Sequence, residues 1–328
     1  MPSTSVTPRI HDAVDAAERL KAGQLVAFPT ETVYGLGANA LNVTAVARIF
    51  EAKQRPRFDP LIVHIPAIDH LWSAVRQIPN AAHQLARHFW PGPLTMVLPK
   101  CNAIADLVTA GLPGVGIRIP EHPLALRLLH AADCPIAAPS ANQFGAVSPT
   151  TAEHVLQGLD GRIDAVLDGG SCRIGLESTV ISLMQRNPVV LRLGGLSLEE
   201  IEAVTGPIQV MTSNPGLGDA AQPAPGMLSR HYAPGASIVA VAGETVIQPT
   251  HRRTALLTWG SSPTQTDDNL FVAVENLSVA SDLTECAANF FAGLRKLDAA
   301  HPDVIIARRF PDHGLGRALN DRLQRACG

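Results

Sequence analysis

The stretch LVAFPTETVYGLGANA, residues 25–40, decides the architecture. Its first four residues are apolar and read as a buried strand. Pro29 and Thr30 close that strand, and Gly35 and Gly37 open the backbone just beyond it. In open α/β sheets, ligands bind at the carboxyl ends of strands. Thr30 and Thr32 bring hydroxyls there, Glu31 a carboxylate, and Tyr34 a flat ring with a phenol. The blander reading is a hairpin or turn with polar filler. Gly-Leu-Gly is not G-x-G-x-x-G, so no dinucleotide fingerprint is present.

Working outward, Ile10, Val14, Ala17 and Leu20 recur at helical spacing over 8–22, and Gly23 stops that helix. Asn42 caps a second helix carrying Val46, Ile49 and Phe50. LIVHI (61–65), LTMVLP (94–99), VGIRIP (115–120) and PIAAPS (135–140) read as strands, with helices over 80–89, 123–131 and 150–159. DAVLDG, STVISL and PVVLRL add three strands, and Ser197 with Glu200 forms a capping box. Residues 211–236 hold four Pro and four Gly with little apolar periodicity, the pattern of a linker or lid. Beyond it, SIVAVA, TALLTWG, LFVAV and VIIARR read as strands. Ser281 is expected to cap a helix with Leu283, Ala287, Phe290, Leu294 and Leu297 on one face, and a last helix fills 315–327. The expected organisation is a first α/β domain over 1–208, a linker and lid over 209–236, and a small α/β domain with a mostly parallel sheet over 237–328.

Of 328 residues, 46% are hydrophobic, which rules out a disordered chain. The net charge of −3 leaves no broad basic face for a nucleic-acid backbone. Five cysteines without a C-x-x-C pair argue against a disulfide framework or a zinc site. The first twenty residues lack an export signal, and no apolar run is long enough to span a membrane, so a cytoplasmic protein is expected.

Candidate chemistry clusters on cations and hydroxyls. Lys53, Arg55 and Arg57 lie at a helix exit, where they complement the helix dipole but also make a polyphosphate clamp. His64 sits inside a strand, where a lone histidine is more often a satisfied core residue. Arg118 and Arg192 each lie in an apolar strand and must be paired or bind an anion. Ser140, Asn142 and Ser148 precede a helix start at Thr150–Thr151, a ready phosphate site that simple N-capping would also explain. Ser178 opens another strand. Ser229, Arg230, His231 and Tyr232 form a polar-aromatic cluster within the linker. No Walker A sequence, nucleophile elbow or metalloprotease motif is present. The pattern points to anion binding and positioning rather than covalent catalysis.

In this order and spacing, PTETVYGLGANA, K-x-R-P…PLIVH, APSAN…SPT, EST and LRxGG resemble the threonylcarbamoyl-AMP synthase family with its YrdC-like domain. The match covers about residues 10–208, and the S-R-HYAP linker with the α/β tail resembles its two-domain members. The resemblance implies an open, twisted, mixed sheet around a large positive cavity. It implies that L-threonine, bicarbonate and ATP are converted to threonylcarbamoyl-adenylate, pyrophosphate and water. A separate machinery then transfers the threonylcarbamoyl group to tRNA. By matching position, the threonine site falls on Thr32, His64, Arg118, the Ala138 backbone and Ser178. The ATP site falls on Arg55, Asp59, Gly114, Ser140, Ser148, Arg192 and Tyr232. Lys53 and Arg55 are the expected catalytic cations, with Mg²⁺ carried mainly by the ATP phosphates and no protein metal site. Asp59 stands where the family usually has Asn, and Gly114 where Thr is common. An RNA-binding or ribosome-maturation module is the alternative, and a carbamoyl-transfer domain a third reading. Neither stable nucleic-acid binding nor membrane association is expected.

Overall fold

The computed structural model describes residues 6–211, 223–226, 232–242, 253–261 and 270–327. The first large unit is a mixed eleven-stranded sheet. Its strands are β1 (Arg9–Ile10), β2 (Val26–Phe28), β3 (Gly35–Asn39), β4 (Ile62–His64), β5 (Leu94–Pro99), β6 (Gly114–Arg118), β7 (Ile136–Ala137), β8 (Ala165–Leu167), β9 (Thr179–Ser182), β10 (Val189–Arg192) and β11 (Gln209–Val210). They run in the order β1-β8-β2-β3-β7-β4-β6-β5-β9-β10-β11. The strand β11 carries this sheet two residues past the expected boundary at 208.

The opening stretch is a hairpin. β2 and β3 pair antiparallel, with Phe28 opposite Gly35 and Val26 opposite Gly37. The glycines expected to open a loop therefore lie in a strand. The reason is steric: a Cβ on Gly37 would lie 3.0 Å from the Phe28 ring and 3.1 Å from Ile136 Cγ2.

Alternation along the strands divides the core. Val26, Phe28, Ala165 and Leu167 meet α1 (Ala13–Lys21) and α5 (Pro123–Ala132) on one face. Ala27, Leu36, Val63, Met96 and Ile117 meet α2 (Val43–Lys53) and α3 (Asn80–Phe89) on the other. Asn42 caps α2 through a bond from the Ala45 N–H, and the Ser197–Glu200 capping box starts α7 (Leu198–Thr205), as their sequences predict. The short helices α4 (Asp106–Thr109) and α6 (Ala152–Leu159) complete this unit.

The second unit is a four-stranded sheet in the order β12-β15-β13-β14, every pairing parallel. Its strands are β12 (Ser237–Val241), β13 (Thr254–Thr258), β14 (Ala273–Asn276) and β15 (Val304–Arg308). The helix α8 (Leu283–Ala299) is capped by Asp282, not Ser281, whose φ of +63° takes it out of the extended capping conformation. Phe290, Phe291, Leu294 and Leu297 of α8 join Leu319 and Leu323 of α9 (Leu315–Cys327) over this sheet.

The two units share a core. Val33, Val147 and Leu176 of the large unit belong to the same buried cluster as α8 and α9. At that seam Gly175 has a φ of +76°, and a Cβ there would lie 2.3 Å from the Ala287 carbonyl oxygen in α8. Only glycine meets both the backbone conformation and the close approach. Gly175→Ala is expected to destabilise the protein by about 2 kcal/mol or more, read as a lower denaturant midpoint. An unchanged midpoint would contradict this packing.

Candidate active site

The turn between β2 and β3 is built from its own hydroxyls. Thr30 Oγ1 donates to the Val33 carbonyl at 2.6 Å and accepts the Thr32 and Val33 N–H groups. This side-chain turn fixes Glu31 and Thr32 against Arg118 at the end of β6. The Arg118 Nη2 donates to Glu31 Oε1 at 2.6 Å, Nη1 to Thr32 Oγ1 at 2.8 Å and Nε to the Gly92 carbonyl at 3.2 Å. Three of its five N–H donors are thereby engaged, and two remain for a ligand.

Thr30, Thr32, Val33 and Arg118 help to wall a cavity of about 50 Å³. At ~10–15 Å³ per water on this measure, it holds about four waters, the scale of a small amino acid. Nine of the thirteen residues that the sequence singles out line it: Thr32, Arg55, His64, Arg118, Ala138, Ser140, Ser178, Arg192 and Tyr232. Ser178 Oγ lies 2.7 Å from Thr95 Oγ1. Arg192 donates through Nε and Nη2 to the Ser178 carbonyl and through Nη1 to the Pro225 carbonyl at 2.8 Å. Tyr232 closes one side, almost wholly buried, its ring 5.5 Å from that of Phe291 in α8. Burial pushes the Tyr232 phenol up to about 12, so it stays protonated at neutral pH. Ser229, Arg230 and His231 lie outside the described residues.

The remaining four residues sit elsewhere. Lys53, the last residue of α2, is 1% exposed and is not among the residues lining the cavity. Its ammonium donates to the Ser140 carbonyl at 2.5 Å and, more closely still, to the Asn142 carbonyl. It ties down the 140–142 loop, whose Ser140 lines the cavity. Asp59 is fully buried behind Arg55, with the Arg55 Nη2 at 2.9 Å. Apart from this ion pair, neither carboxylate oxygen has an aligned hydrogen-bond partner among the described residues, and burial raises its pKa against the opposing pull of Arg55. The arginine bridge that a carboxylate beside a triphosphate requires is therefore present. Ser148 is buried and donates to Glu177 Oε1 at 2.6 Å. Gly114 lies in a crevice beside Pro223–Pro225, where a Cβ would meet Val97 Cγ1 at 2.8 Å and Met184 Sδ at 2.9 Å. A side chain there would require Val97 and Met184 to shift. Arg57 is exposed outside the cavity, and Tyr34 points into the core, its hydroxyl donating to the Gly170 carbonyl.

Sequence reasoning missed three participants. Pro225 and Gly226 line the cavity from the linker. Glu177 lines it too, accepting from Ser148 on one oxygen and from Arg322 Nε of α9 on the other at 2.8 Å. Glu177 is visible in the EST motif, but no local signal ties it to a residue 145 positions away.

His64 lines the cavity with its Nδ1 buried and without a hydrogen-bond partner among the described residues. Burial, assisted by the Arg118 charge, lowers its pKa from 6.5 to about 3. An unfolded chain takes up this proton near pH 6.5 and the folded chain only near 3. Folding stability therefore falls as pH drops through that window and levels off below it. Between pH 7 and pH 5, His64→Gln is expected to lose less stability than the wild type, by on the order of 1–2 kcal/mol, in denaturant titrations at each pH. Equal losses would place the imidazole in contact with water.

Comparison with known proteins accords with this geometry. The family model described as "Telomere recombination" matches residues 18–194. The model described as "Threonylcarbamoyl-AMP synthase, C-terminal domain" matches residues 196–328. The threonylcarbamoyl-AMP synthase of Bacillus subtilis is 46% identical over 326 residues, 95% of this chain and 92% of that one. That of Pyrococcus abyssi is 44% identical over 323 residues, 95% of this chain and 93% of that one. The crystal structure of P. abyssi Sua5 complexed with L-threonine superposes with a TM-score of 0.88 at 41% identity, covering 98% of each chain. Matched by family models over residues 18–194 and 196–328, and by relatives at this identity over 95% of its length, the chain belongs to the threonylcarbamoyl-AMP synthase family.

Proposed function

We propose that this protein is an L-threonylcarbamoyladenylate synthase, a nucleotidyltransferase that uses L-threonine, bicarbonate and ATP. The observation that carries the reading is the cavity itself. It is the size of a small amino acid, walled by three buried arginines and by one carboxylate that is already paired.

The roles follow from the donors left over. Arg118 offers its two remaining N–H groups to the threonine carboxylate. The orphaned His64 Nδ1, Thr32, Ser178 and the Ala138 backbone complete the amino-acid site. Arg55 and Arg192 face the phosphates, with Ser140 and Tyr232 beside them. Threonine's amine adds to bicarbonate, giving a carbamate and water. A carbamate oxygen then attacks the α-phosphorus, and the bond to pyrophosphate breaks. No protein nucleophile is required, so positioning and electrostatics carry the rate.

The carboxylates Glu31, Asp59 and Glu177 are each ion-paired with an arginine, which makes them poor ligands for a resident metal. Mg²⁺ fits this chain as an ion carried on the ATP phosphates. Lys53 acts on the reaction only through the 140–142 loop.

On this reading residues 1–208 are the catalytic unit, 209–236 a lid and 237–328 its anchor. Closure over the nucleotide keeps water from a reactive mixed anhydride. The setting is the cytoplasm, and the product passes to a tRNA threonylcarbamoyl-transfer machinery. Among the described residues, no helix is long and apolar enough to cross a membrane. A small cavity walled by buried arginines also suits substrate chemistry better than the alternative RNA-binding module.

The test is pyrophosphate release that requires threonine and bicarbonate together, with threonylcarbamoyl-AMP identified by mass spectrometry. ATP turnover indifferent to either substrate would overturn the proposal. Arg118→Ala is expected to weaken threonine binding by ~2–5 kcal/mol while the protein stays folded. An unchanged threonine KM would remove Arg118 from the amino-acid site.

A further inference from the structure

We infer that Arg322, in the second unit, is a positioning residue for the nucleotide side of the cavity. It neutralises Glu177 and so leaves Arg192 available to phosphate. The inference rests on the synthase reading and extends it to a residue outside the catalytic unit.

Glu177 is the one carboxylate among the described residues lining the cavity. Unneutralised, it would repel a triphosphate and attract the nearest guanidinium. Arg192 is within electrostatic reach of it and lines the same wall. The competitor that prevents this pairing is Arg322, which is 0% exposed. Its Nε donates to Glu177 Oε2 at 2.8 Å, its Nη2 to the Leu193 carbonyl at 2.8 Å and its Nη1 to Asp321 Oδ2 at 2.5 Å. Its guanidinium carbon lies 5.1 Å from the centre of the Tyr232 ring.

Each contact bears on the phosphate side. The Leu193 carbonyl belongs to the residue following Arg192. Tyr232 comes from the linker and lines the cavity. Glu177, with Arg322 on one oxygen, can hold Ser148 on the other. Arg322 does not line the cavity and acts through these groups. Asp321 in turn is paired with Arg325, so the guanidinium sits within a chain of alternating charges rather than alone.

The test is the ATP dissociation constant by calorimetry, which needs no turnover, measured beside the KM for threonine in the full-length protein. R322Q keeps a hydrogen-bonding side chain but removes the charge. It is expected to weaken ATP binding by about tenfold or more, with the threonine KM changed by less than about threefold. The double variant E177Q/R322Q removes the stranded carboxylate as well, and should return ATP affinity to within about threefold of wild type. A merely structural role would instead move ATP affinity and threonine KM together. If R322Q fails to fold, R322K carries the test. It keeps the charge and loses the planar fork, and is expected to fall between wild type and the predicted loss. Unchanged ATP affinity in folded R322Q or R322K, or a double variant as impaired as R322Q, would overturn the inference. Wild-type turnover with threonine and bicarbonate is scored separately and reports on the synthase reading alone.

Discussion

Buried positive charge is the constraint around which this site is arranged. Lys53, Arg55, Arg118, Arg192 and Arg322 are all withdrawn from water around one small cavity. Three have a carboxylate of their own: Asp59 for Arg55, Glu31 for Arg118 and Glu177 for Arg322. Lys53 and Arg192 make their hydrogen bonds to neutral oxygens. Among the described residues, the cavity wall therefore carries an excess of positive charge, Arg192 having no carboxylate of its own, in a protein whose net charge is −3. Such a local excess, held in a low-dielectric wall, favours an anionic ligand far more than the same charges would on the surface.

The hydrogen bonds that satisfy these cations also build the walls. Lys53 holds the 140–142 loop, Arg118 holds the 30–33 turn, and Arg192 holds both Ser178 and Pro225. Removing a charge would therefore remove a wall as well as a ligand contact. Preorganisation follows directly, because the donors are fixed by backbone and carboxylate partners before any substrate arrives. Among the described residues, His64 Nδ1 and two of the Arg118 N–H groups are left over, and on the proposed reading these receive the amino acid.

Most strands and helices were legible because alternation and capping are local signals. Asn42 and the Ser197–Glu200 box specify helix starts without reference to the rest of the chain. The four positions that failed to reach the cavity show where local signals end. Lys53 and Arg55 belong to one motif, yet Gln54 between them adopts a left-handed conformation, with φ of 54°. That reversal sends one side chain into the loop and the other into the cavity. Gly114 was set by Val97 and Met184, which come from other strands and turns. Ser148 was claimed by Glu177, and Glu177 by a helix near the end of the chain. Charge partnerships across that distance leave no trace in spacing or periodicity.

The seam between the two units extends the same logic to the chain's organisation. A linker alone could bring Tyr232 near the cavity, but a buried phenol needs an apolar bed and a buried carboxylate needs a counter-charge. The helix α8 supplies Phe291 as the bed, and α9 supplies Arg322 as the charge. Both helices belong to the cluster that also buries Val33, Val147 and Leu176. The apolar contact fixes where α9 lies, and the ion pair makes use of that position. A cation so deep would be costly if the seam opened, since Glu177 and Arg322 would each lose a partner. Docking of the second unit thus places Arg322 against Glu177 and Phe291 against Tyr232 through the same buried seam.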